Sequence, residues 1–516
     1  MERRLVLEKE YLYIPIKAGA PEVCVELFIE ESGVQEKIFE LMIPVAEQET
    51  ESYRFDYFAH FPVSRLLNNR LTDYRTLLLK GDVPKAFLDS IRNADADAMK
   101  EEVPSERPSI HFTARAGWIN DPNGLIYADG VYHLYFQYNP FNTAWQNMSW
   151  GHAISSDLLH WEQRDTVMLP DEEGTVFSGC GIINKRELLG LPKDALVYFY
   201  TAAGSANQWS SSKLFTQRIA YSTDQGNTLI KLKAPYVDTI CKENRDPKVY
   251  WHEESKAYVM VLWLEENDFA ILRSADLENW EQSCRFTLKG AWECPDLVKL
   301  YDENGSAQWI FWSADGFYFF GDFDGFTFQT DGVKHEAYFN KIPYAAQTYF
   351  GTQGRTISVP WLRLPNDGRL FTGAMGLPQE LSYKIREDGS RTLVQRPVKE
   401  FFERAVFQGK TKCFEAAKPT AVYVRMDCEN TDFAMDINDS KMTYVSETGI
   451  LSVDEEQFQV GAQTKKLELL IDDSILEVWV DRGIMTGVYA LKRNADASVR
   501  IQMASGKEPE VYTVEV

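Results

Sequence analysis

Positive charge is scarce in this 516-residue chain: 54 Lys and Arg face 77 Asp and Glu, for a formal net charge of −23. That balance argues against nucleic acid or an anionic membrane surface as a partner, because both attract dense positive charge. Long hydrophobic runs are also missing, and no stretch approaches the ~18 apolar residues of a membrane-spanning helix. The start, Met1 to Lys9, has no apolar core and no small-residue cleavage site, so no secretory signal is expected. Cysteines are few and scattered. The seven (Cys24, Cys180, Cys241, Cys284, Cys294, Cys413 and Cys428) form no C-x-x-C pair. This favours reduced thiols in a cytoplasmic protein over disulfides or zinc. The seven histidines show no metal-ligand spacing, and His152 and His160 read as packing residues. There is no H-E-x-x-H, no phosphate-binding glycine loop and no G-x-S-x-G. Gly179-Cys180-Gly181 lacks the third glycine of a dinucleotide site. No metal and no cofactor are expected.

Aromatics are plentiful, at 13% of residues within 44% hydrophobic content. They indicate packed globular domains, and their ring faces suit the C–H faces of sugars. The length suggests two to four domains. Residues 1–105 read as a small β domain. Short strand-like runs cover Leu5 to Ile16, Val23 to Ile29, Lys37 to Ile43, Tyr53 to Phe58 and Thr76 to Leu79. A helix is expected over Pro84 to Met99, then a polar linker over Glu101 to Pro108. No site is visible in this domain; sugar binding and a packing or oligomerisation role both fit.

Residues 106–385 have a repeating texture. Ser156-Asp157-Leu158, Ser222-Thr223-Asp224 and Ser274-Ala275-Asp276 each separate two strand-like runs, while Asp121-Pro122, Asp246-Pro247 and Pro295-Asp296 each open one. Irregular repeats of three or four strands mark a β-propeller, with room for about five blades. An elongated β-sandwich is the alternative, and it leaves the repeated phrases unexplained. Residues 386–516 read as a linker and a C-terminal β-sandwich, with a hairpin over Lys466 to Val480 turning at Asp472-Asp473-Ser474. Bracing the propeller is its simplest role. The fold class is therefore all-β: a small N-terminal β domain, a propeller and a sandwich.

The chemistry concentrates at strand openings. Gly117-Trp118-Ile119-Asn120-Asp121-Pro122-Asn123-Gly124 combines turn residues with a carboxylate, and Leu125-Ile126-Tyr127 and Val131 to Phe136 follow as a hairpin. Asp121 is expected where a tight turn feeds a strand. There it suits a nucleophile or a general base, although a simple turn cap has the same sequence. Asp246 in Arg245-Asp246-Pro247 and Glu293 in Trp292-Glu293-Cys294-Pro295-Asp296 open two further strands. In a propeller such openings converge on one funnel. Clustered carboxylates raise one another's proton affinity, so one can stay protonated while another is ionised. Retaining glycoside hydrolysis uses such a pair about 5–5.5 Å apart, and an inverting pair is wider.

Seven phrases in order carry a family resemblance. They are His111-Phe112-Thr113 with the octet after it, Phe136-Gln137-Tyr138-Asn139-Pro140, Trp150-Gly151-His152-Ala153, Phe177-Ser178-Gly179, Arg245-Asp246-Pro247, Glu293-Cys294-Pro295-Asp296 and Tyr344-Ala345-Ala346-Gln347-Thr348. The chain resembles glycoside hydrolase family 32, the β-fructosidases. The resemblance implies a five-bladed propeller followed by a β-sandwich, and retaining hydrolysis of terminal fructose from fructo-oligosaccharides, inulin or levan chains, or sucrose. It makes Asp121 the nucleophile, Glu293 the acid/base and Asp246 the stabiliser of the transition state. It assigns Asn120, Gln137, Trp145, Phe177, Ser178, Arg245, Tyr344 and Trp361 to the fructose pocket. Cys294 tunes its neighbour or is a plain buried thiol. Pro343, Pro360 and Gln379 depart from the family's phrases and are expected at the pocket rim and leaving-group side. Fructosyl transfer through the same intermediate and a non-catalytic fructan-binding propeller are the alternatives. Homo-oligomerisation stays open. Gly321-Asp322-Phe323-Asp324-Gly325 fails as a calcium loop, because Val333 stands where a Glu is needed.

Overall fold

The computed structural model describes residues 1–31, 33–47, 53–68, 76–96, 107–462, 464–492 and 498–515. The protein is all-β: the two α-helices among the described residues, Lys85–Ser90 and Lys399–Arg404, have six residues each. No helix among them is long and apolar enough to cross a membrane.

The N-terminal unit contains a four-stranded sheet and a three-stranded sheet. They enclose Leu12, Ile14, Leu27, Phe39, Leu41, Phe61, Leu77, Leu79 and Phe87. Two expectations are corrected here. Leu5 to Ile16 is not one strand. Glu2–Val6 and Tyr11–Ile16 belong to different sheets, and the Asn93 side chain accepts the N–H groups of Glu8 and Lys9 at the break between them. The helix expected to reach Met99 stops at Ser90, because Arg92–Ala94 pairs as a strand with Tyr11 to Tyr13. Asn93 also donates to the carbonyls of Lys9 and Tyr11; a short amide that bonds neighbouring backbone competes with helix. The linker expected over Glu101 to Pro108 lies mostly outside the described residues, as do positions 97–99.

Five antiparallel sheets follow, and their first strands are Gly117–Ala128, Thr175–Ile183, Arg245–His252, Asp296–Tyr301 and Pro343–Thr348. Polar contacts at or beside these strands link the five sheets into a closed ring. Gly179 N–H donates to Asn123 Oδ1 (3.2 Å), Asp246 N–H to Thr201 Oγ1 (3.1 Å), Cys294 N–H to Asp246 Oδ2 (3.0 Å), Thr348 N–H to Asp296 Oδ2 (2.9 Å) and Phe350 N–H to the Leu125 carbonyl (2.9 Å). Phe371–Thr372 adds to Gly117–Trp118 in parallel and completes the closure. Arg391–Pro397 pairs with Gln379–Ile385, so the fifth sheet runs past residue 385.

The repeated Ser-Asp phrases form the turn between the third and fourth strands of the first three sheets. Asp157 accepts the N–H of Leu159 and His160, Asp276 those of Glu278 and Asn279, and Asp224 that of Thr228. Trp161 and Trp280 each return an indole N–H to the carbonyl three residues back. His152 is buried and stacks on His133 and Tyr135. His160 is not a packing residue: its ring is 44% exposed and bonds to Asp157, because the turn points it outward.

The C-terminal part has two six-stranded sheets, including the expected hairpin of Lys466–Asp472 and Ile475–Val480. The hairpin holds the chain that enters the first sheet. Asp472 accepts the backbone N–H groups of Ser109 (2.6 Å), Ile110 (3.0 Å) and His111 (3.1 Å) and the His111 Nδ1–H (2.8 Å). Glu477 meets His111 Nε2 (3.0 Å) and the Leu377 N–H (2.8 Å). Burial disfavours charge on His111, but the hydrogen bonds to Asp472 and Glu477 outweigh it and raise the imidazole from 6.5 to about 9.

A folded pKa above the unfolded one stabilises fully below 6.5, and that contribution is lost as pH rises through about 9. The shift corresponds to about 3 kcal/mol. Urea unfolding of wild type should therefore show a fall in stability between those pH values, and His111→Gln should flatten it.

Candidate active site

Three of the five first strands carry a β-bulge where they enter the ring and a fourth carries two. The register shifts lie between Ile119 and Pro122 and between Asn123 and Ile126, Val176 and Gly179, Arg245 and Lys248, and Tyr344 and Gln347. The fourth sheet achieves the same effect before its first strand, with Glu293 and Cys294 at φ of 31° and 44°. A bulge re-aims the side chains it carries, and here it turns them toward the ring axis. Asp121, Ser178 and Asp246 all sit within bulges. Asp246 (φ 63°) and Ala345 (φ 49°) adopt the left-handed conformation that side chains disfavour. Such strain persists only where the surroundings enforce it. Below Asp246 and Cys294, Lys248 Nζ bonds Asp296 Oδ2 (2.8 Å) and the Thr348 carbonyl (2.8 Å), which ties the third, fourth and fifth sheets together. The octet around Asp121 is thus not a tight turn feeding a strand. It lies within the strand Gly117–Ala128, and its turn residues form the two bulges. Gly124 needs its positive φ (52°) there, and a side chain would strike Tyr135 at 2.8 Å.

The bulged openings line one open cavity of about 480 Å³, a size suited to a small ligand. The three carboxylates Asp121, Asp246 and Glu293 face it together with Asn120, Gln137, Trp145, Phe177, Ser178, Arg245, Tyr344 and Trp361. Ser205, Ala206, Phe215 and Glu243 complete the lining and were not visible in the sequence. Pro343, Pro360 and Gln379 are not in the lining. The expectation that placed Gln379 at the rim is corrected: it is buried against the sandwich, where its carbonyl receives the Trp479 indole N–H (3.4 Å). Alternation along a strand decides which neighbour of a motif faces the cavity.

Each carboxylate has its own surroundings. Asp121 accepts Ser178 Oγ–H (2.6 Å) and Asn120 Nδ2–H (3.2 Å), and Trp118 orients Asn120 through its indole N–H (3.0 Å). Burial raises the Asp121 carboxyl, the Ser178 bond lowers it and the charge of Glu293 raises it again. Asp246 accepts the Cys294 N–H and is pushed up to about 7, by burial first and then by Glu293 and Asp121, against the lowering effect of Arg245. Arg245 Nη2 donates to Glu293 (2.7 Å), and its Nε lies 3.8 Å from Asp246. The Trp263 ring supports the guanidinium at 3.9 Å. Tyr344 donates its hydroxyl to the other Glu293 oxygen. The Cys294 sulfur sits between two carboxylates, 3.6 Å from Asp121 and 3.5 Å from Asp246. Burial and all three surrounding carboxylates push its thiol well up, so it stays a neutral S–H donor.

Aromatic rings wall the cavity. Phe177 stands edge-on to Trp145 (6.1 Å) and to Phe215 (5.6 Å), and Trp361 to Tyr344 (6.1 Å) and Trp118 (5.8 Å). Gln137 is fixed by its bond to the Val176 carbonyl (2.8 Å). No cluster of His, Cys, Asp and Glu suited to a metal ion occurs among the described residues.

A family model described as the glycosyl hydrolases family 32 N-terminal domain matches residues 111–397. The chain belongs to glycoside hydrolase family 32. It is 35% identical over 327 residues to a levanase from Bacillus subtilis, covering 57% of this chain and 47% of that protein. It is 34% identical over 348 residues to an extracellular exo-inulinase from Aspergillus awamori, covering 56% of this chain and 64% of that one. The matched region thus spans less than two thirds of these relatives. The crystal structure of the Aspergillus awamori exo-inulinase superposes on 79% of this chain and 98% of its own, with a TM-score of 0.67 and 26% identity. A family 32 structure from Bifidobacterium adolescentis shares the fold over 99% of both chains, with a TM-score of 0.67 and 18% identity. That likeness includes the N-terminal unit.

Arg245 lowers the Asp246 carboxyl, so Arg245→Met should raise it further. Titration of the carboxyl carbons by NMR should show an Asp246 midpoint of about 7 in wild type and a higher one in the variant.

Proposed function

We propose that the protein is a retaining exo-β-fructosidase that releases terminal β-fructofuranosyl units from fructo-oligosaccharides, levan- or inulin-type chains, or sucrose. The observation that carries this reading is the meeting of Asp121, Asp246 and Glu293 in one cavity, each with different partners. The names of the relatives, levanase and exo-inulinase, support the substrate class. An Asp121 oxygen attacks the anomeric C2, and the C2–O bond to the leaving sugar breaks as Glu293 gives its proton to that oxygen. Water then attacks C2 and returns a proton to Glu293, and the bond to Asp121 breaks. Ser178 and Asn120 suit Asp121 to nucleophilic attack, because hydrogen bonds to the carboxylate favour its charged form. Tyr344 and Arg245 fix the orientation of Glu293. Asp246 is suited to vicinal ring hydroxyls and to the positive charge developing on the furanose. Trp145, Phe177 and Trp361 supply apolar surface to the sugar.

We read the five sheets as the blades of a propeller, flanked by an N-terminal unit reaching to about residue 105 and a C-terminal sandwich. All seven cysteines are unpaired, which supports a reducing, cytoplasmic setting. The acidic balance supports a substrate that is neither nucleic acid nor membrane.

Wild type should release fructose from at least one of sucrose, kestose, inulin and levan. Asp121→Asn and Glu293→Gln should each lower kcat by roughly 10³-fold or more while the protein remains folded by circular dichroism. Wild type that binds these sugars without releasing fructose would replace this reading with that of a binding propeller. Fructosylated products in place of free fructose would make the protein a transferase.

A further inference from the structure

The cavity floor is buried, but its outer wall is not. Gln137 and Asp246 are 2% and 6% exposed, whereas Trp145 is 49% exposed and Ser205 also faces solvent. Trp145 belongs to the loop that leaves Val131–Asn139, and Ser205 and Ala206 to the loop that leaves Leu196–Ala203. Neither loop is held only by its own sheet; both are grasped by the N-terminal unit.

In the first loop, Asn147 donates to the Met42 carbonyl (2.7 Å) and accepts the Met42 N–H (2.8 Å). Asn142 donates to Glu22 (2.6 Å), and Phe141 is fully buried 5.9 Å from both Phe39 and Phe61. In the second loop, the buried carboxylate of Glu40 accepts the Trp209 N–H (3.1 Å), and Lys37 lies over the Trp209 ring at 5.5 Å. The Ser205 N–H donates to the Ser210 carbonyl (2.8 Å), so whatever fixes Trp209 also fixes Ser205.

We propose that the N-terminal unit is a positioning element for the substrate beyond its first sugar: through Glu22, Glu40 and Met42 it sets the two loops that meet the second and later units of a fructan chain. The inference rests on the fructosidase reading for the identity of the chain. Its physical basis is that exposed loops ordered in advance bind without the entropic cost of ordering them on contact. None of the three N-terminal residues reaches the cavity, so they act through the loops alone.

The test uses the full chain with Glu22→Ala, Glu40→Ala and the conservative Glu22→Gln and Glu40→Gln. KM for kestose and longer inulin chains should rise about fivefold or more in the alanine variants, with kcat and the pH profile unchanged and KM for sucrose moving much less. The glutamine variants, which keep a carbonyl acceptor, should restore much of the loss. Hydrogen exchange should quicken in residues 141–147 of Glu22→Ala and in residues 204–213 of Glu40→Ala, and nowhere else in the ring. Glu22 is exposed, so its replacement stays informative if Glu40→Ala fails to fold. Equal KM changes for sucrose and long chains, or a fall in kcat alone, would overturn the proposal. Unchanged exchange in both loops would also overturn it, whether or not the protein cleaves. Quickened exchange in the alanine variants, when wild type itself releases no fructose, would instead defeat the fructosidase reading and leave the bracing intact.

Discussion

Three carboxylates are held together at the largely buried base of one cavity, and the rest of the molecule is arranged to permit it. Burial raises Asp121 and Asp246, and the neighbouring charges add to the effect. Among the described residues, Arg245 is the cation ion-paired with this cluster. The remaining relief comes from uncharged donors: Ser178, Asn120, Tyr344 and the Cys294 N–H. Uncharged donors act only over short distances and narrow angles. A cluster that relies on them requires a rigid frame.

The bulged strand openings provide that frame. Each bulge interrupts pairing for two residues, and the ladder resumes behind it. The local distortion is tolerated because its neighbours leave no alternative. Lys248, Asp296 and Thr348 tie three strands below the strained residues, and Asp472 and Glu477 fix the segment leading into the first strand through Ile110 and His111. The sandwich therefore supports the site at a distance, by holding the backbone from which Asp121 projects.

The carboxylates were legible in the sequence because each stands in a phrase of unusual composition at a strand opening, and the all-β class followed from the periodic runs between turns. Other features were legible only in part. Asp-Pro-Asn-Gly favours a turn in isolation, yet pairing with Val131–Asn139 absorbs the same backbone preferences as bulges. Ala206 and Phe215 carry no distinctive chemistry, and only the path of their loop brings them to the cavity. Pro360 stands beside Trp361 in sequence but is not in the cavity lining, and Gln379 faces the sandwich; such facing depends on strand phase. The short helix at Lys85–Ser90 gave way to a strand because a partner edge, Tyr11 to Tyr13, was available from far away in the chain.

The parallel pairing of Phe371–Thr372 with Gly117–Trp118 has a bearing on how the molecule is made. The strand bearing Asp121 emerges early from the ribosome, but the edge that Val131–Asn139 does not cover stays open until Phe371 has been synthesised. Contacts so distant in sequence close late and slowly. Until then that edge has no strand partner, and the Asp472 and Glu477 anchor of the entering segment is made later still, so the working centre is assembled only near the end of synthesis.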